Sequence, residues 1–532
     1  MNNKKKYLSL IILLILVGIY FYFNLLSLFN VNWLPDEVYH IRFINEWFLK
    51  NFNSYFFQLK HENYPPMSPV FGNPPFAMAM MTLGMYVGDL FNIAHIYSAR
   101  FVNFISGLLS FWLLYLISKK IYRGGAKYYS LILYISLPLM IVLNTTAYLD
   151  SILILLTLAY FYFSILFLEA KDKKFFILSA IFAGLAFITK YQFAMIFFPS
   201  LIFFFIKIKE KKIILNNWDY IFYFLYIYLT GAILWAGIRD LNHVINIFSS
   251  LSGFAFGPVS ESMGLFSDYT EITGGILKDP LYYLYMFLGK STIPLLLGLL
   301  LLIIGVIFFS RKYADKEELF FSFLFLTISL IPLIVFGLIK GVPNSVHRIG
   351  MIFPFVILLS GYGYELISRP MKNRVKYAGI ISIVIFVLLL LGNIIVLSDI
   401  SPKYYNHYTN NINKIFNKDY KLYINGDGEG MKEAAEWFDT INSNPTINLG
   451  IVRLRYVFKE YTNNTNLFDF PMTEGLDYAL SKDLNYIVMH KSYTTGGLKP
   501  VFLNDKEHFK LVHIIKTDKG EDLVYIYKVV KQ

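Results

Sequence analysis

Long apolar segments follow one another along most of this chain. A helix that crosses a bilayer needs about 20 mostly apolar residues, because the hydrocarbon offers the backbone no water to bond with. Segments of this kind recur up to residue 397. They are residues 7–30, 97–118, 127–143, 151–168, 175–190, 193–207, 218–238, 281–310, 319–339, 349–368 and 377–397. The sequence therefore predicts a polytopic α-helical membrane protein with about eleven transmembrane helices.

Composition agrees with this fold class. The 532 residues are 56% apolar and only 16% charged, whereas soluble domains are about 25% charged. The first apolar segment is too long for a cleaved signal peptide and lacks a small-residue cleavage site. The absence of cysteine excludes disulfides, cysteine-ligated zinc and thiol catalysis.

The basic residues predict how the chain is oriented. They form short clusters at every second connection between apolar segments, which is typical of cytoplasmic loops rather than of a nucleic-acid-binding face. The clusters contain Lys4–Lys6; Lys119, Lys120, Arg123 and Lys127; Lys171, Lys173 and Lys174; Lys207, Lys209, Lys211 and Lys212; Arg311, Lys312 and Lys316; and Arg369, Lys372, Arg374 and Lys376. We therefore expect a multi-pass protein of the cell membrane with a cytoplasmic amino terminus and no nucleic-acid partner.

Two domains follow from this topology. Residues 1–397 form the transmembrane domain, with a first outer loop at 32–96 and a long outer loop at 239–280. Residues 398–532 are more polar and lie outside the membrane. Their pattern predicts a helix near 429–441 and strands at 447–458, 485–490, 509–517 and 523–530, so we expect an extracytoplasmic α/β or α+β domain.

The first outer loop begins with an acidic pair, Asp36 and Glu37, just where the first apolar segment ends. One interpretation is that Asp36 caps a short helix that starts after Pro35. The other is that one carboxylate is a general base that deprotonates an attacking hydroxyl. Further along the loop, residues 77–91 predict a helix lying at the membrane interface, with a short true span as the alternative.

Other charged residues fall on the predicted outer face. Asp150 heads an apolar helix, where it either caps the helix or positions a substrate or catalytic partner. Lys190, His347 and Arg348 lie at outer helix ends, where cations either extend to lipid headgroups or bind an anion such as a lipid phosphate. The sequence has no nucleotide-binding glycine motif, HExxH or paired-cysteine metal motif. We therefore expect no cofactor, and a divalent metal is unsupported.

Several of these segments together resemble the GT-C glycosyltransferases. They are DEVYHIRF (36–43), GNPPF (72–76), SARFVNFISGLLSFWLLYLISKKIYRGG (98–125), TAYLDSILILLTLAYFYF (146–163), LAFITKYQ (185–192) and HR…FPF (347–355). The set is most similar to the branch that contains the protein O-mannosyltransferases and the bacterial lipid A aminoarabinose transferase. The continuation Val-Tyr-His after the acidic pair, and an NPP segment without lysine, depart from that pattern.

The resemblance implies an inverting transferase that takes a sugar from a polyprenyl- or dolichyl-phosphate-linked donor to a protein, lipid or glycan acceptor. It implies that Asp36 is the catalytic base and that Glu37 supports it. It also makes Arg100, Lys190, His347 and Arg348 candidates for binding the donor phosphate or lining the groove entrance. One alternative is a transporter or lipid flippase without transferase activity, in which charged residues line a pathway. Another is a non-catalytic membrane scaffold or assembly partner, which would not need Asp36.

Overall fold

The structure is a computed structural model of the whole chain. It describes residues 3–31, 37–38, 40–41, 44, 76–234, 282–338, 346–374, 378–398, 400, 428–441, 447–452, 454–462, 466–491, 500–517, 520 and 522–531. Asp36, most of the first outer loop and the long outer loop at 239–280 lie outside the described residues, as do the side chains of His347 and Arg348.

The described part of the membrane domain contains fourteen α-helices. In chain order they are α1 (Asn3–Asn30), α2 (Phe76–Asp89), α3 (His95–Ile121), α4 (Ala126–Ser136), α5 (Pro138–Thr145), α6 (Asp150–Ala170), α7 (Lys173–Phe187), α8 (Ala194–Glu210), α9 (Asn217–Leu234), α10 (Tyr282–Lys290), α11 (Ile293–Tyr313), α12 (Lys316–Leu338), α13 (Phe353–Arg374) and α14 (Ala378–Ser398). Every predicted apolar segment coincides with a helix or a helix pair. Two of these segments are divided at a proline.

The first divided segment is 127–143, which forms α4 and α5 with a bend of 67° between them. Pro138 is the first residue of α5, and proline has no backbone N–H to continue the preceding helix. The second is 281–310, where α11 begins with Pro294 in its first turn. Apolar periodicity alone does not separate two short helices from one long span.

Among the described residues, seven helices are long and apolar enough to cross a membrane, or eight if α4 and α5 form one bent span. The predicted multi-pass helical architecture is thus confirmed. The count is below eleven in part because α7 has only 15 residues. The helix predicted at 77–91 forms as α2, which has 14 residues, too few to cross a bilayer of typical thickness.

The centre of the bundle is α13, whose apolar stretch is entirely buried by protein. It packs against α11 through small residues, which allow two backbones to approach closely. A Cβ added to Gly363 would lie 2.1 Å from the Gly298 carbonyl oxygen, and one added to Gly298 would lie 2.7 Å from the Cβ of Ser360. This contact leaves no room for a methyl group on either glycine.

The bundle has two polar ends. At one end, Arg369 of α13 donates 2.7 Å hydrogen bonds to both carboxylate oxygens of Glu318 in α12, and the Gly125 N–H donates to Glu365 at 2.8 Å. The carboxy-terminal ends of α3, α6, α8, α11 and α13 lie on this side. They carry basic-cluster residues, which include Lys119, Lys120, Lys171, Lys207, Lys209, Arg311, Lys312 and Arg369. We call this side the basic end. That it faces the cytoplasm stays a prediction.

The carboxy-terminal domain is built around a five-stranded sheet. Its helices are α15 (Met431–Ile441), α16 (Arg455–Phe458) and α17 (Leu476–Ser481), and its strands are β1 (Leu449–Ile451), β2 (Leu467–Asp469), β3 (Tyr486–His490), β4 (Phe509–Lys516) and β5 (Asp522–Val529). The strand order is β2-β1-β3-β5-β4, with β1 parallel to β2 and β3 and with β5 antiparallel to β3 and β4. The expected small helix-and-sheet domain is therefore present, although its boundary at residue 397 stays a prediction.

One strand prediction was wrong. The segment 447–458 contains only the short β1, and its second half is the helix α16. Leu454, Val457 and Phe458 are all buried, and their spacing of three and four residues is the period of a helix rather than of a strand. Strand β2 was not predicted, because three residues carry too little periodicity to identify a strand.

The contact between α11 and α13 predicts a selective effect of one methyl group. Gly363→Ala should lower the thermal stability of the detergent-solubilised protein, because overpacking of this kind costs about 1–3 kcal/mol. Gly392→Ala in α14 is the matched control, since a Cβ there meets nothing within 4 Å. Thermal unfolding followed by size-exclusion chromatography measures both. Equal stability of the two variants would contradict the close packing of α11 on α13.

Candidate active site

Glu37 and Arg100 form a buried ion pair. Arg100 lies in the second turn of α3, and its Nε donates to Glu37 Oε1 at 2.6 Å while its Nη2 donates to Oε2 at 2.7 Å. Both residues are 0% exposed. Charges are costly to remove from water unless they are paired and hydrogen-bonded, and the two-pronged Arg–carboxylate geometry is the strongest such pairing. The pair therefore holds Glu37 in one position against α3.

Arg100 also binds the end of α1. Its Nη1 donates to the carbonyl oxygens of Leu28 at 2.9 Å and of Val31 at 3.1 Å. The last carbonyls of a helix have no partner within the helix, so the guanidinium satisfies them. Since Nε, Nη1 and Nη2 all donate within the protein, this geometry favours a positioning role for Arg100. Direct contact of Arg100 with a donor phosphate stays a prediction from the resemblance.

The same segment binds the turn between α5 and α6. The Ala147 N–H donates to Glu37 Oε1 at 2.8 Å, and the Ala147 carbonyl oxygen lies 3.0 Å from His40 Nδ1. Because a carbonyl only accepts, His40 must carry its proton on Nδ1 in this contact. From the other side, Asn103 Nδ2 donates to the Tyr148 carbonyl at 2.6 Å. The turn is thus fixed by both the acidic segment and α3.

Sequence reasoning missed His40 and Asn103. The only signal for His40 was its place in the DEVYH segment, three residues after Glu37, which sets both residues on one side of a helical turn. Asn103 carried no signal, because a single amide within an apolar helix does not indicate its partner. Both contacts join residues more than 40 positions apart.

Asp150 and Lys190 form a second buried ion pair at the same end of the bundle. Lys190 Nζ donates to Asp150 Oδ1 at 2.9 Å and to Oδ2 at 3.0 Å. The Asp150 side chain is only 2% exposed and the Lys190 side chain only 9%. Asp150 is the first residue of α6, one position after the N-cap residue Leu149, so it does not occupy the capping position. The geometry therefore favours an ion pair over simple capping for Asp150 and over extension to lipid headgroups for Lys190.

The two ion pairs lie at one end of the bundle, which we call the site end. It contains Glu37, Arg100, Asp150 and Lys190. Asp150 lies only three residues after Ala147, whose N–H donates to Glu37. Lys190 lies just beyond the end of α7. The Phe76 N–H, immediately after the NPP segment, donates to the Ile188 carbonyl at 3.1 Å. The first outer loop is thus joined to the segment that carries Lys190.

His347 and Arg348 belong to a 3₁₀ helix, Val346–Ile352, that leads into the start of α13. This 3₁₀ helix packs against α5 and α6, and a Cβ added to Gly350 would lie 2.7 Å from Leu143 in α5. The backbone of both residues is therefore at the site end. The roles predicted for their side chains, and for Asp36, stay predictions.

The described residues contain no group of three or more His, Asp or Glu side chains that could hold a metal ion. Asp36 and most of the first outer loop lie outside that search. The expectation of no cofactor, with a divalent metal possible but unsupported, therefore stays a prediction.

This chain shares its fold with a solved oligosaccharyltransferase, so the predicted resemblance is confirmed at the level of the fold. The oligosaccharyltransferase AglB from Archaeoglobus fulgidus, solved with an inhibitory peptide and a dolichol-phosphate, matches with a TM-score of 0.50 and 12% identity, covering 99% of this chain and 75% of that one. Residues 72–235 match the sequence model of the family described as dolichyl-phosphate-mannose-protein mannosyltransferase.

Two further solved structures align over most of this chain. ArnT from Cupriavidus metallidurans, bound to undecaprenyl phosphate, matches with a TM-score of 0.48 and 13% identity, covering 97% of each chain. The arabinofuranosyltransferase AftD from Mycobacteria matches with a TM-score of 0.40 and 12% identity, covering 97% of this chain and 40% of that one. No curated protein matches the sequence.

The buried pair at the site end predicts a large effect of a conservative substitution. Arg100→Lys keeps the positive charge but loses the two-pronged contact and the bonds to α1, so it should lower the unfolding free energy by about 1–3 kcal/mol, the cost of buried acceptors left without a partner. Arg123→Lys is the matched control, because Arg123 is 77% exposed in its pair with Asp315 and exposed pairs contribute about 0–1 kcal/mol. Thermal unfolding of the purified variants distinguishes them. A similar midpoint for Arg100→Lys and the wild type would contradict the buried pair.

Proposed function

We propose that this protein is an integral-membrane glycosyltransferase. It moves a hexose or pentose from a polyprenyl- or dolichyl-phosphate-linked donor to a hydroxyl group of a protein, lipid or glycan acceptor at the outer membrane face. The single observation that carries the proposal is the buried pairing of Glu37 with Arg100. Glu37 also accepts a hydrogen bond from the Ala147 N–H, and Ala147 lies three residues before Asp150, the partner of Lys190. It brings carboxylates and cations from four distant parts of the chain to one end of the bundle.

In this proposal Asp36 is the catalytic base. It is covalently joined to Glu37, whose own carboxylate accepts hydrogen bonds from Arg100 and from the Ala147 N–H. Glu37 is therefore a positioning residue that keeps the acidic segment at the site end. An acceptor hydroxyl is a weak nucleophile until a carboxylate within hydrogen-bond reach takes its proton.

The reaction breaks the bond between the anomeric carbon and the donor phosphate oxygen. The acceptor oxygen attacks the anomeric carbon from the opposite face, its proton passes to Asp36, and the lipid phosphate leaves with the bonding electron pair. Negative charge grows on that phosphate, and nearby cations stabilise it. Lys190, His347 and Arg348 are the candidate donor-phosphate ligands, with Asp150 holding the Lys190 ammonium in place.

Two comparisons support this function. The family match at residues 72–235 spans Arg100, Asp150 and Lys190, and its description names a dolichyl-phosphate-linked sugar as donor. The AglB structure, which shares this fold, holds a dolichol-phosphate. The separation of the site end from the basic end also supports an extracytoplasmic site, because basic loops are retained in the cytoplasm.

Asp36→Asn tests the base directly. It should abolish transfer to the acceptor without reducing expression or donor binding, because an amide does not accept the proton at neutral pH. Asp172→Asn, which alters an exposed helix cap at the basic end, should leave transfer unchanged. The measurement is mass spectrometry of products formed in membranes supplied with a panel of polyprenyl-phosphate sugars. Transfer by Asp36→Asn at the wild-type rate rules out this base, and no transfer by the wild type with any donor favours a transporter or flippase.

Lys190→Met tests the donor site. It removes the ammonium that lies against Asp150, so we expect the Michaelis constant for the donor to rise about tenfold or more, the magnitude of one lost charge-assisted contact. Lys173→Met is the matched control, because Lys173 pairs with Asp219 at the basic end and is 56% exposed. Steady-state kinetics on folded, monodisperse protein gives both constants. An unchanged Michaelis constant for Lys190→Met removes Lys190 from the donor site.

A further inference from the structure

Val38 belongs to the carboxy-terminal domain's apolar cluster although it lies in the first outer loop. Its side chain is 2% exposed. The cluster that contains it is otherwise made of buried residues of the outer domain, among them Met431, Phe438, Leu454 and Val488. The acidic segment is thus packed into the outer domain one residue after Glu37.

The residues next to Val38 in the chain contact the membrane domain instead. Glu37 pairs with Arg100 of α3, and Ile44 belongs to the buried cluster of the membrane domain, against which Ile41 also packs. The short segment 37–44 therefore contacts the membrane domain through Glu37, Ile41 and Ile44, and the outer domain through Val38. It lies between the two domains.

Two further residues join the domains at this place. Ile400, just beyond the end of α14, packs against both apolar clusters. Tyr461, which packs against the cluster of the outer domain, lies within electrostatic range of the Arg100 guanidinium. The outer domain therefore contacts the site end of the bundle.

We propose that the carboxy-terminal domain positions the catalytic segment, and that Val38 is the positioning residue through which it does so. This inference rests on the proposed transferase function. Val38 is two residues from Asp36, so a shift of its side chain moves the base relative to the acceptor. The outer domain then acts on the rate of the chemical step and not only on acceptor recognition.

The physical reason is the sensitivity of both packing and catalysis to small displacements. A buried side chain shortened by two methyl groups leaves a cavity that its surroundings fill only in part. A displacement of about 1 Å at a reacting group can reduce a rate roughly a hundredfold. An apolar contact at Val38 can therefore control a carboxylate that it does not touch.

Kinetics of Val38 variants give the first test. Val38→Ala should lower kcat roughly tenfold with little change in the Michaelis constant for the donor, and Val38→Ile, which keeps the apolar contact, should retain most of the wild-type kcat. Val512→Ala is the matched control, because Val512 lies in β4 of the same domain and is 44% exposed. A wild-type kcat for Val38→Ala overturns the proposal, as does a loss confined to the Michaelis constant.

Thiol labelling gives a second test that needs no activity. The chain contains no cysteine, so Val38→Cys and Val512→Cys each introduce a single thiol into the full-length protein. A maleimide should label position 512 quickly and position 38 at least tenfold more slowly. Adding Phe438→Asp, which places a charge in the outer domain's cluster, should make position 38 reactive while the membrane domain stays folded.

The two tests distinguish a failure of the proposed Val38 contact from a failure of the proposed transferase function. Rapid labelling of position 38 in the otherwise unaltered protein overturns the packing of Val38 in the outer domain, whatever the enzyme's activity. Slow labelling that persists with Phe438→Asp assigns the protection to the membrane domain and also overturns the proposal. Slow labelling that Phe438→Asp relieves, in a protein that transfers no sugar, overturns the transferase function instead and leaves the domain contact standing.

Discussion

The buried ion pair between Glu37 and Arg100 organises the site end of this protein. Removing two charges from water costs several kcal/mol for each ion, and the structure offsets that cost with a two-pronged contact, two carbonyls of α1 and the Ala147 N–H. Each of these partners comes from a different part of the chain. Because a buried charge tolerates no missing partner, the pair sets α1, α3, the acidic segment and the turn before α6 in one arrangement.

A comparable arrangement at the basic end shows how the bundle is held along its length. Arg369 joins α13 to Glu318 of α12 and also donates to the Tyr313 carbonyl at the end of α11. Gly124, with φ of +79°, turns the chain where a Cβ would lie 2.1 Å from a Glu365 oxygen. Buried polar contacts at both ends therefore add directional bonds to the close packing of the apolar helices between them.

The segment 37–44 lies where the two domains meet, and this position connects packing to chemistry. Its polar residues bond to the membrane helices while Val38 packs into the outer domain. In the proposed function, the outer domain and the bundle both determine where the base stands. An acceptor seated against the outer domain would then bind next to the residues that control the reaction.

The apolar segments and basic clusters are enough to predict the membrane class, the approximate positions of the helices and the separation of basic loops from the acidic pair, because the bilayer imposes length and charge rules on every span. It also indicated Glu37, Arg100, Asp150 and Lys190 as residues of interest. The folded structure alone shows that Glu37 pairs with Arg100, that Asp150 pairs with Lys190, and that Val38 packs against the outer domain. These contacts join residues 40 to several hundred positions apart, and no local periodicity encodes a partner at that distance.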